Sequence, residues 1–169
     1  MNNSTYEILF ARLREDAKIP FKRNEDAGYD IYASFKEDHM KLEPHETKMI
    51  PSGLICAFSS DLVMQLWERG STGTKGIGQR CGVIDSGYRD EIFVPITNHN
   101  TKPLLITKET NESVLATLKD DFIIYPYTKA ICQGLMEFVP PTTTKEMLPE
   151  EIRAIPSERG CGKLGSSGK

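Results

Sequence analysis

The sequence predicts an all-β sandwich or barrel. Three observations predict it: many short apolar runs, turn residues between nearly all of them, and almost no stretch with helical periodicity. No internal repeat is present, and 169 residues suit one domain with a real core.

Tyr6 to Leu13 alternates well enough for a first strand, and Ile19-Pro20 then breaks it. A polar turn from Asn24 feeds a short strand at Gly28-Tyr29-Asp30-Ile31-Tyr32, with Asp30 the one charge inside it. Lys41 to Ala57 carries two more short strands, punctuated by Pro44 and Pro51-Ser52-Gly53. Leu62-Val63-Met64-Gln65-Leu66-Trp67 is another.

Glu68 to Gly76 follows, a Gly-Ser-Thr loop holding Arg69 and Lys75. Backbone N–H groups in such a turn can converge into an anion nest, to which an Arg adds forked donors. Its spacing differs from that of the kinase-type phosphate loop.

The stretch Gly82-Val83-Ile84-Asp85-Ser86-Gly87-Tyr88-Arg89 reads as the first arm and turn of a hairpin, returning through Ile92, Val94 and Ile96 on one face. Asp85 and Tyr88 then sit at opposite ends of one tight turn. A carboxylate beside an aromatic there can hold a water and grip a ring-shaped ligand, although an isolated Asp-Ser-Gly-Tyr is more often a plain surface turn.

Pro103 to Thr107 reads as a strand. The charged stretch from Lys108 to Asp121 breaks the strand rhythm, and Ser113 to Leu118 inside it fits a helical turn or a hairpin tip. Phe122 to Tyr127 and Ala130 to Val139 are two further strands, the second carrying Gln133 in an apolar run. Thr142-Thr143-Thr144 is a linker, and Leu148 to Ala154 has the Pro and acids that start a short helix. The boundaries that follow are one β domain over 1–156 and a tail over 157–169. The tail is too Gly-rich and polar to pack a core, and is expected to be mobile.

Formal net charge is −3 and the pI is near 5.7. Neither fits the basic footprint of a sequence-independent nucleic-acid binder. There is no signal-peptide core and no membrane-length apolar run. Cys56, Cys81, Cys132 and Cys161 are widely spaced and form no Cys-x-x-Cys pair, and His39, His45 and His99 lack metal-ligand spacing. These features suit reduced thiols in a cytoplasmic protein without a zinc site or disulfide framework.

Five separated segments resemble, in order, the five motifs of the trimeric dUTPases: Ala27-Gly28-Tyr29-Asp30-Ile31, Arg69-Gly70-Ser71-Thr72-Gly73, Gly82 through Arg89, Ala130-Ile131-Cys132-Gln133, and Arg159 through Gly168. The resemblance runs the length of the chain. It implies a jelly-roll-like β subunit, a homotrimer whose active sites draw on all three chains, and a tail that closes over the ligand. The implied reaction turns dUTP and water into dUMP and pyrophosphate, with Mg2+ on the triphosphate and Asp30 acting on the metal's water shell or holding the closed tail.

Carried onto these residues, the resemblance makes Asp85 the base for the attacking water and puts Tyr88 against the deoxyribose. It gives the uracil edge to the backbone from Gln79 through Gly82 and Val83 to Ile84. Arg69, Gly70, Ser71, Thr72 and Gln133 fall to phosphates and water. Arg159, Ser166 and Ser167 fall to the β- and γ-phosphates, with Leu164 and Gly165 in the lid.

The chain departs from the family pattern in four places. Gly70 stands where a Ser is usual, so either Ser71 takes over the hydroxyl contact or the loop shifts. The loop from Arg69 to Gly82 is short. Leu164 replaces the tail aromatic. Asp90 and Ala130 replace a Gly and an Arg. The stretch from Lys108 to Asp121 resembles an insertion carried by some phage members. Two alternatives stand beside this reading. One is a dCTP deaminase-like enzyme, which shares the fold but needs a Glu acid–base. The other is a dUTPase-fold module that docks a regulatory protein through residues Lys108 to Asp121.

Overall fold

Burial alternates residue by residue over stretches such as residues 62–66, where Leu62, Met64 and Leu66 are buried, as in a strand with one buried face. The computed structural model describes residues 5–160 and 162. Twelve strands and three short helices follow in order: β1 (Ile8–Arg12), β2 (Gly28–Tyr32), β3 (His39–Leu42), β4 (Thr47–Pro51), β5 (Leu54–Phe58), β6 (Leu62–Trp67), α1 (Gly70–Gly73), β7 (Ile77–Gln79), β8 (Val83–Ile84), β9 (Phe93–Asn98), β10 (Leu104–Thr107), α2 (Glu112–Leu118), β11 (Ile123–Pro126), β12 (Ala130–Phe138) and α3 (Pro149–Ala154). The all-β expectation holds. The Lys41–Ala57 region carries more than two strands, because His39 and Met40 pair with β10 and so open β3 before Lys41.

Four small sheets form, ordered β1-β5, β11-β10-β3, β2-β12-β6-β8 and β4-β9-β7. Ile31, Ile50, Leu54, Met64, Ile92, Val94, Leu104 and Ile106 are all but fully buried and form one core cluster. Burying each such side chain contributes roughly 1.5–3 kcal/mol. The expected shared face of Ile92, Val94 and Ile96 is present and lies in this core.

The stretch from Lys108 to Asp121 has a structural task. β10 and β11 pair in parallel, Leu104 opposite Ile123 and Thr107 opposite Pro126. A parallel pair needs a crossover of about a dozen residues or more, and residues 108–122 supply it. The choice between helical turn and hairpin tip resolves to α2, capped by the Asn111 side chain, which accepts from the amides of Ser113 and Val114.

The chain divides into two compact units, residues 1–139 and 140–169. Pro140-Pro141-Thr142 cannot extend β12, since proline brings no ladder donor. The second unit contains α3 as anticipated, with Pro149 in its first turn and Glu151 accepting from the Leu148 amide at 2.8 Å. Cys56 and Cys132 are buried free thiols and Cys81 an exposed one. No helix among the described residues is long and apolar enough to cross a membrane.

A polar chain ties β1's exit to the crossover. Arg14 Nε donates to Ser34 Oγ at 3.0 Å, Ser34 donates to Asp16 at 2.8 Å, and Tyr127 donates to Asp16 at 2.6 Å. Lys108 Nζ lies 3.7 Å from Asp16 and 4.8 Å from the Tyr127 ring centroid. Burial pushes the Asp16 carboxyl up, but the hydrogen bonds from Tyr127 and Ser34, with Lys108 and Arg14 near, hold it below the usual range. Burial, then the hydrogen bond to Asp16, push the Tyr127 phenol up to about 12.

The contact needs an ionised Asp16 and a neutral Tyr127. Its stabilisation is therefore present above the unfolded carboxyl's pKa and fades as pH falls. At the alkaline end it is lost as pH climbs from the free phenol's 10.0 towards about 12. Asp16→Asn is expected to lower unfolding free energy by about 1–2 kcal/mol at neutral pH, a figure reduced for partial exposure. The loss should shrink as pH drops below about 4. Urea titrations at both pH values check this, and an equal loss at both would assign the effect to packing.

Candidate active site

Asp30 on β2 and Gln133 on β12 are direct cross-strand partners, so both side chains stand on one face of the sheet. Gln133 is also opposite Trp67 at the end of β6, two residues before Arg69. Three segments far apart in sequence thus converge. The Arg69 guanidinium grips Asp30 as a fork, Nε to Oδ1 at 3.0 Å and Nη2 to Oδ2 at 3.3 Å. Its Nη1 donates to the Ala130 carbonyl at 3.2 Å and to Ser71 Oγ at 3.3 Å. The Ala130 carbonyl is available because β12 bulges between Ala130 and Cys132, and the buried Tyr125 hydroxyl donates to it as well. Gln133 Nε2 donates to the Glu68 carbonyl at 3.0 Å.

This cluster floors a cleft of about 770 Å³ whose opposite wall is the loop before β2, with Lys18, Lys22 and Arg23 against Glu25 and Asp26. Arg23 is paired with Asp26 at 2.9 Å. Lys18 and Lys22 instead donate to backbone carbonyls, at 3.4 Å to Thr128 and 2.8 Å to Asp26, and lie over the rings of Tyr32 and Tyr29. A cleft walled by Lys18, Lys22, Arg23 and Arg69 is suited to a polyanion. Among the described residues no cluster of three or more His, Cys, Asp or Glu could cage a metal.

The Gly-Ser-Thr loop differs from its expected form. Instead of an open nest of amides it folds as the single helical turn α1. The amides of Thr72 and Gly73 donate to the Arg69 carbonyl, and those of Thr74, Lys75 and Gly76 to the carbonyls of Gly70, Thr72 and Gly73. Thr72, assigned to ligand contact from sequence, is buried: its hydroxyl accepts from the Arg69 amide at 3.2 Å and donates to the Arg69 carbonyl at 2.9 Å. Thr72 therefore braces Arg69. Ser71 is exposed and touches the guanidinium, while Gly70 is exposed with open space where a Cβ would stand.

The Asp85–Tyr88 turn is present, closed by the Tyr88 amide donating to the Asp85 carbonyl at 3.0 Å. The hairpin is not. β8 pairs with β6, whereas β9 pairs with β4 and β7, so the chain changes sheets across the turn. The reason lies at its end: the Ile92 amide donates to the Leu54 carbonyl, and Glu91 is anchored to the Gly53 amide and to Arg14. These bonds draw the chain away from β8.

Asp85, Tyr88, Gly82, Val83 and Ile84 line a second cleft of about 290 Å³, walled by Met49, Leu66, Phe93 and Pro95. Within the expected base-reading stretch, the amides of Gln79 and Arg80 already donate to Glu68 and Pro95, and the Gln79 side chain folds onto the carbonyls of Arg80 and Cys81. Gly82 is required, since a Cβ there would lie 2.5 Å from the Leu66 carbonyl oxygen. The two clefts share no lining residue, so one chain holds Asp85 with Tyr88 in one place and Asp30, Arg69 and Gln133 in another.

Arg159, Gly160 and Gly162 form a local turn in the second unit, with the Gly162 amide donating to the Arg159 carbonyl at 3.1 Å. The assignments to Leu164, Gly165, Ser166 and Ser167 lie outside the described residues. Sequence reasoning missed Lys18, Lys22 and Arg23, although the Lys22-Arg23 pair just ahead of the first motif was a visible charge signal.

An all-β chain with a fork-held arginine in a cationic cleft, and a separate apolar cleft closed by an Asp–Tyr turn, has the parts of a nucleotide-handling protein. The dUTPase family model matches residues 15–111, more than half of the chain. The deoxyuridine 5'-triphosphate nucleotidohydrolase of Leptospira interrogans is 31% identical over 104 residues, covering 59% of this chain and 71% of that protein. The one from Serratia proteamaculans is 29% identical across 100% of this chain and 99% of its own. Among solved structures, the Staphylococcus bacteriophage 80alpha dUTPase with dUPNHPP superposes with a TM-score of 0.70 at 21% identity, covering 98% of this chain and 100% of that one. The native EIAV dUTPase gives 0.62 at 17%, covering 85% and 98%. The chain belongs to the dUTPase family.

Because the Leu66 carbonyl blocks any Cβ at residue 82, Gly82→Ala is expected to push β8 off β6. The cost should be about 1–3 kcal/mol in stability, with ligand affinity at the small cleft falling as well. Chemical denaturation checks the first and titration with a non-hydrolysable dUTP analogue the second.

Proposed function

We propose that this chain hydrolyses dUTP to dUMP and pyrophosphate by attack of water on the α-phosphorus, in sites shared between the subunits of a homotrimer. The observation that carries the reading is the division of the family's motif residues between two unconnected clefts. A nucleoside in the small cleft of one subunit needs a polyanion cleft from another, and a closed symmetric ring supplies one to every site.

In this reading the base and sugar enter the small cleft. Base readout falls to residues 81–84, since the amides of Gln79 and Arg80 are engaged. Fixed backbone groups there reject cytosine by leaving polar atoms unpaired. The Tyr88 ring stacks against the deoxyribose and leaves no room for a 2′-hydroxyl. The Asp85 carboxylate, at the rim, orients the water and takes its proton. Arg69 and Ser71 meet phosphate oxygens and Gln133 the phosphate or its water. The positive wall of Lys18 and Lys22 offsets the triphosphate's charge.

Both Asp30 oxygens are engaged by Arg69, so Asp30 fits a role in orienting the guanidinium better than one in a metal's water shell. Mg2+, when present, is carried by the triphosphate and its own waters and offsets phosphate charge. Arg159, Leu164, Gly165, Ser166 and Ser167 enter only through the family resemblance, as groups for the β- and γ-phosphates and the lid.

The dCTP deaminase alternative is not favoured by the family match. Residues 108–122 supply the crossover that the parallel β10–β11 pair needs.

Pyrophosphate release measured in parallel from dUTP, dCTP, dTTP and UTP should show turnover of dUTP alone at comparable concentrations. Ammonia from dCTP would overturn the reading. Asp85→Asn should keep binding of a dUTP analogue and lose about 100- to 10,000-fold in turnover.

A further inference from the structure

Tyr88 is only partly buried, 38% exposed. What fixes it is a hook, its hydroxyl donating to the Glu91 carbonyl at 2.8 Å. That carbonyl is only as well placed as residue 91 itself. The Glu91 side chain is largely buried and held twice: Oε1 accepts from the Gly53 amide at 2.7 Å, and the carboxylate is gripped by both terminal nitrogens of Arg14. Arg14 is in turn aimed by Ser34 at 3.0 Å. Gly53 has φ +70°, and a Cβ on it would meet Ser34 Oγ at 2.6 Å, so the turn presenting its amide is sterically determined.

We propose that Arg14 and Glu91 are positioning residues for sugar selection. By clamping residue 91 to the Gly53 turn, they hold the carbonyl on which the Tyr88 hydroxyl hooks, and so set where the ring stands against the nucleoside's 2′ carbon. The inference rests on the reading of the small cleft as the deoxynucleoside site. Neither residue touches the ligand. Their effect is geometric: a ring displaced by part of an ångström admits the extra hydroxyl of a ribonucleotide, and discrimination falls while chemistry on dUTP persists.

The surrounding charges fit this assignment. Burial, followed by the negative charges of Asp90 and Glu91, raises the Tyr88 phenol above its ordinary value. Removing one partner of a mostly buried ion pair leaves the other unpaired. The gentler variants Glu91→Gln, which keeps an oxygen for the Gly53 amide, and Arg14→Met, which keeps much of the stem's bulk, are therefore the informative ones.

The experiment is steady-state kinetics on dUTP and UTP with the full-length protein, wild type and variants, after circular dichroism and gel filtration confirm fold and assembly. Glu91→Gln and Arg14→Met should each lower the dUTP-to-UTP ratio of kcat/KM by about tenfold, with kcat for dUTP staying within about threefold of wild type. Tyr88→Phe removes the hook from the other side and should lower the ratio similarly. The double variant Tyr88→Phe/Glu91→Gln should be no worse than the worse single one, because both break the same link. Unchanged ratios in folded Glu91→Gln and Arg14→Met, or losses that multiply in the double variant, would overturn the proposal. If Tyr88→Ala also leaves the ratio unchanged, the fault lies in the reading of the cleft itself.

Discussion

Between Ile84 and Phe93 the chain leaves one sheet and enters another, and the candidate chemistry hangs on that transfer. A true hairpin would have aligned β8 with β9 and left Asp85 and Tyr88 on an ordinary loop tip. Here Gly82 presses β8 against the Leu66 backbone on one side, and Glu91 ties the far end to Gly53 and Arg14 on the other. The turn is stretched between two rigid attachments. Its Asp and Tyr stand at the edge of a cleft with apolar walls, where a carboxylate can face a ligand without packing into the core.

The second constraint is electrostatic. Arg69 lies in a cleft that Lys18, Lys22 and Arg23 also line. The fork to Asp30 neutralises it, and the bulge carbonyl of Ala130 with the Ser71 hydroxyl fixes its plane. Such an arrangement keeps donors oriented before the ligand arrives, so little reorganisation is needed when it does. The small turn α1 serves the same end, with buried Thr72 bonding both backbone groups of Arg69.

Much of this was legible in the sequence. The strands were, because alternation survives wherever one face is buried: Leu62 to Trp67 reads as β6 with the same bounds. The motif residues Asp30, Arg69 and Gln133 were singled out from the sequence, and the fold brings them together. Pairing was not legible. Nothing local distinguishes a turn between paired arms from one that changes sheets, since the difference lies in Gly53 and Leu54, some thirty residues earlier in the chain. The same limit hid the parallel β10–β11 pair, and with it the crossover task of residues 108–122. It also hid the Arg14–Glu91 pair, which only the fold brings together. Gly-Ser-Thr-Gly has poor helix propensity, and the local bonds between the Thr72 hydroxyl and the Arg69 backbone close it into a helical turn.

The central claim is that the two clefts of one chain serve different active sites. It is tested most directly by mixing two inactive chains, Asp85→Asn and Arg69→Gln, under conditions where native mass spectrometry proves subunit exchange. If each site takes its turn and its arginine from different subunits, equal mixing should restore activity to about a quarter of the wild-type level, the share of sites that receive both intact parts in a symmetric trimer. Mixed trimers with no recovered pyrophosphate release would show that Asp85 and Arg69 act within one chain, and would contradict the account.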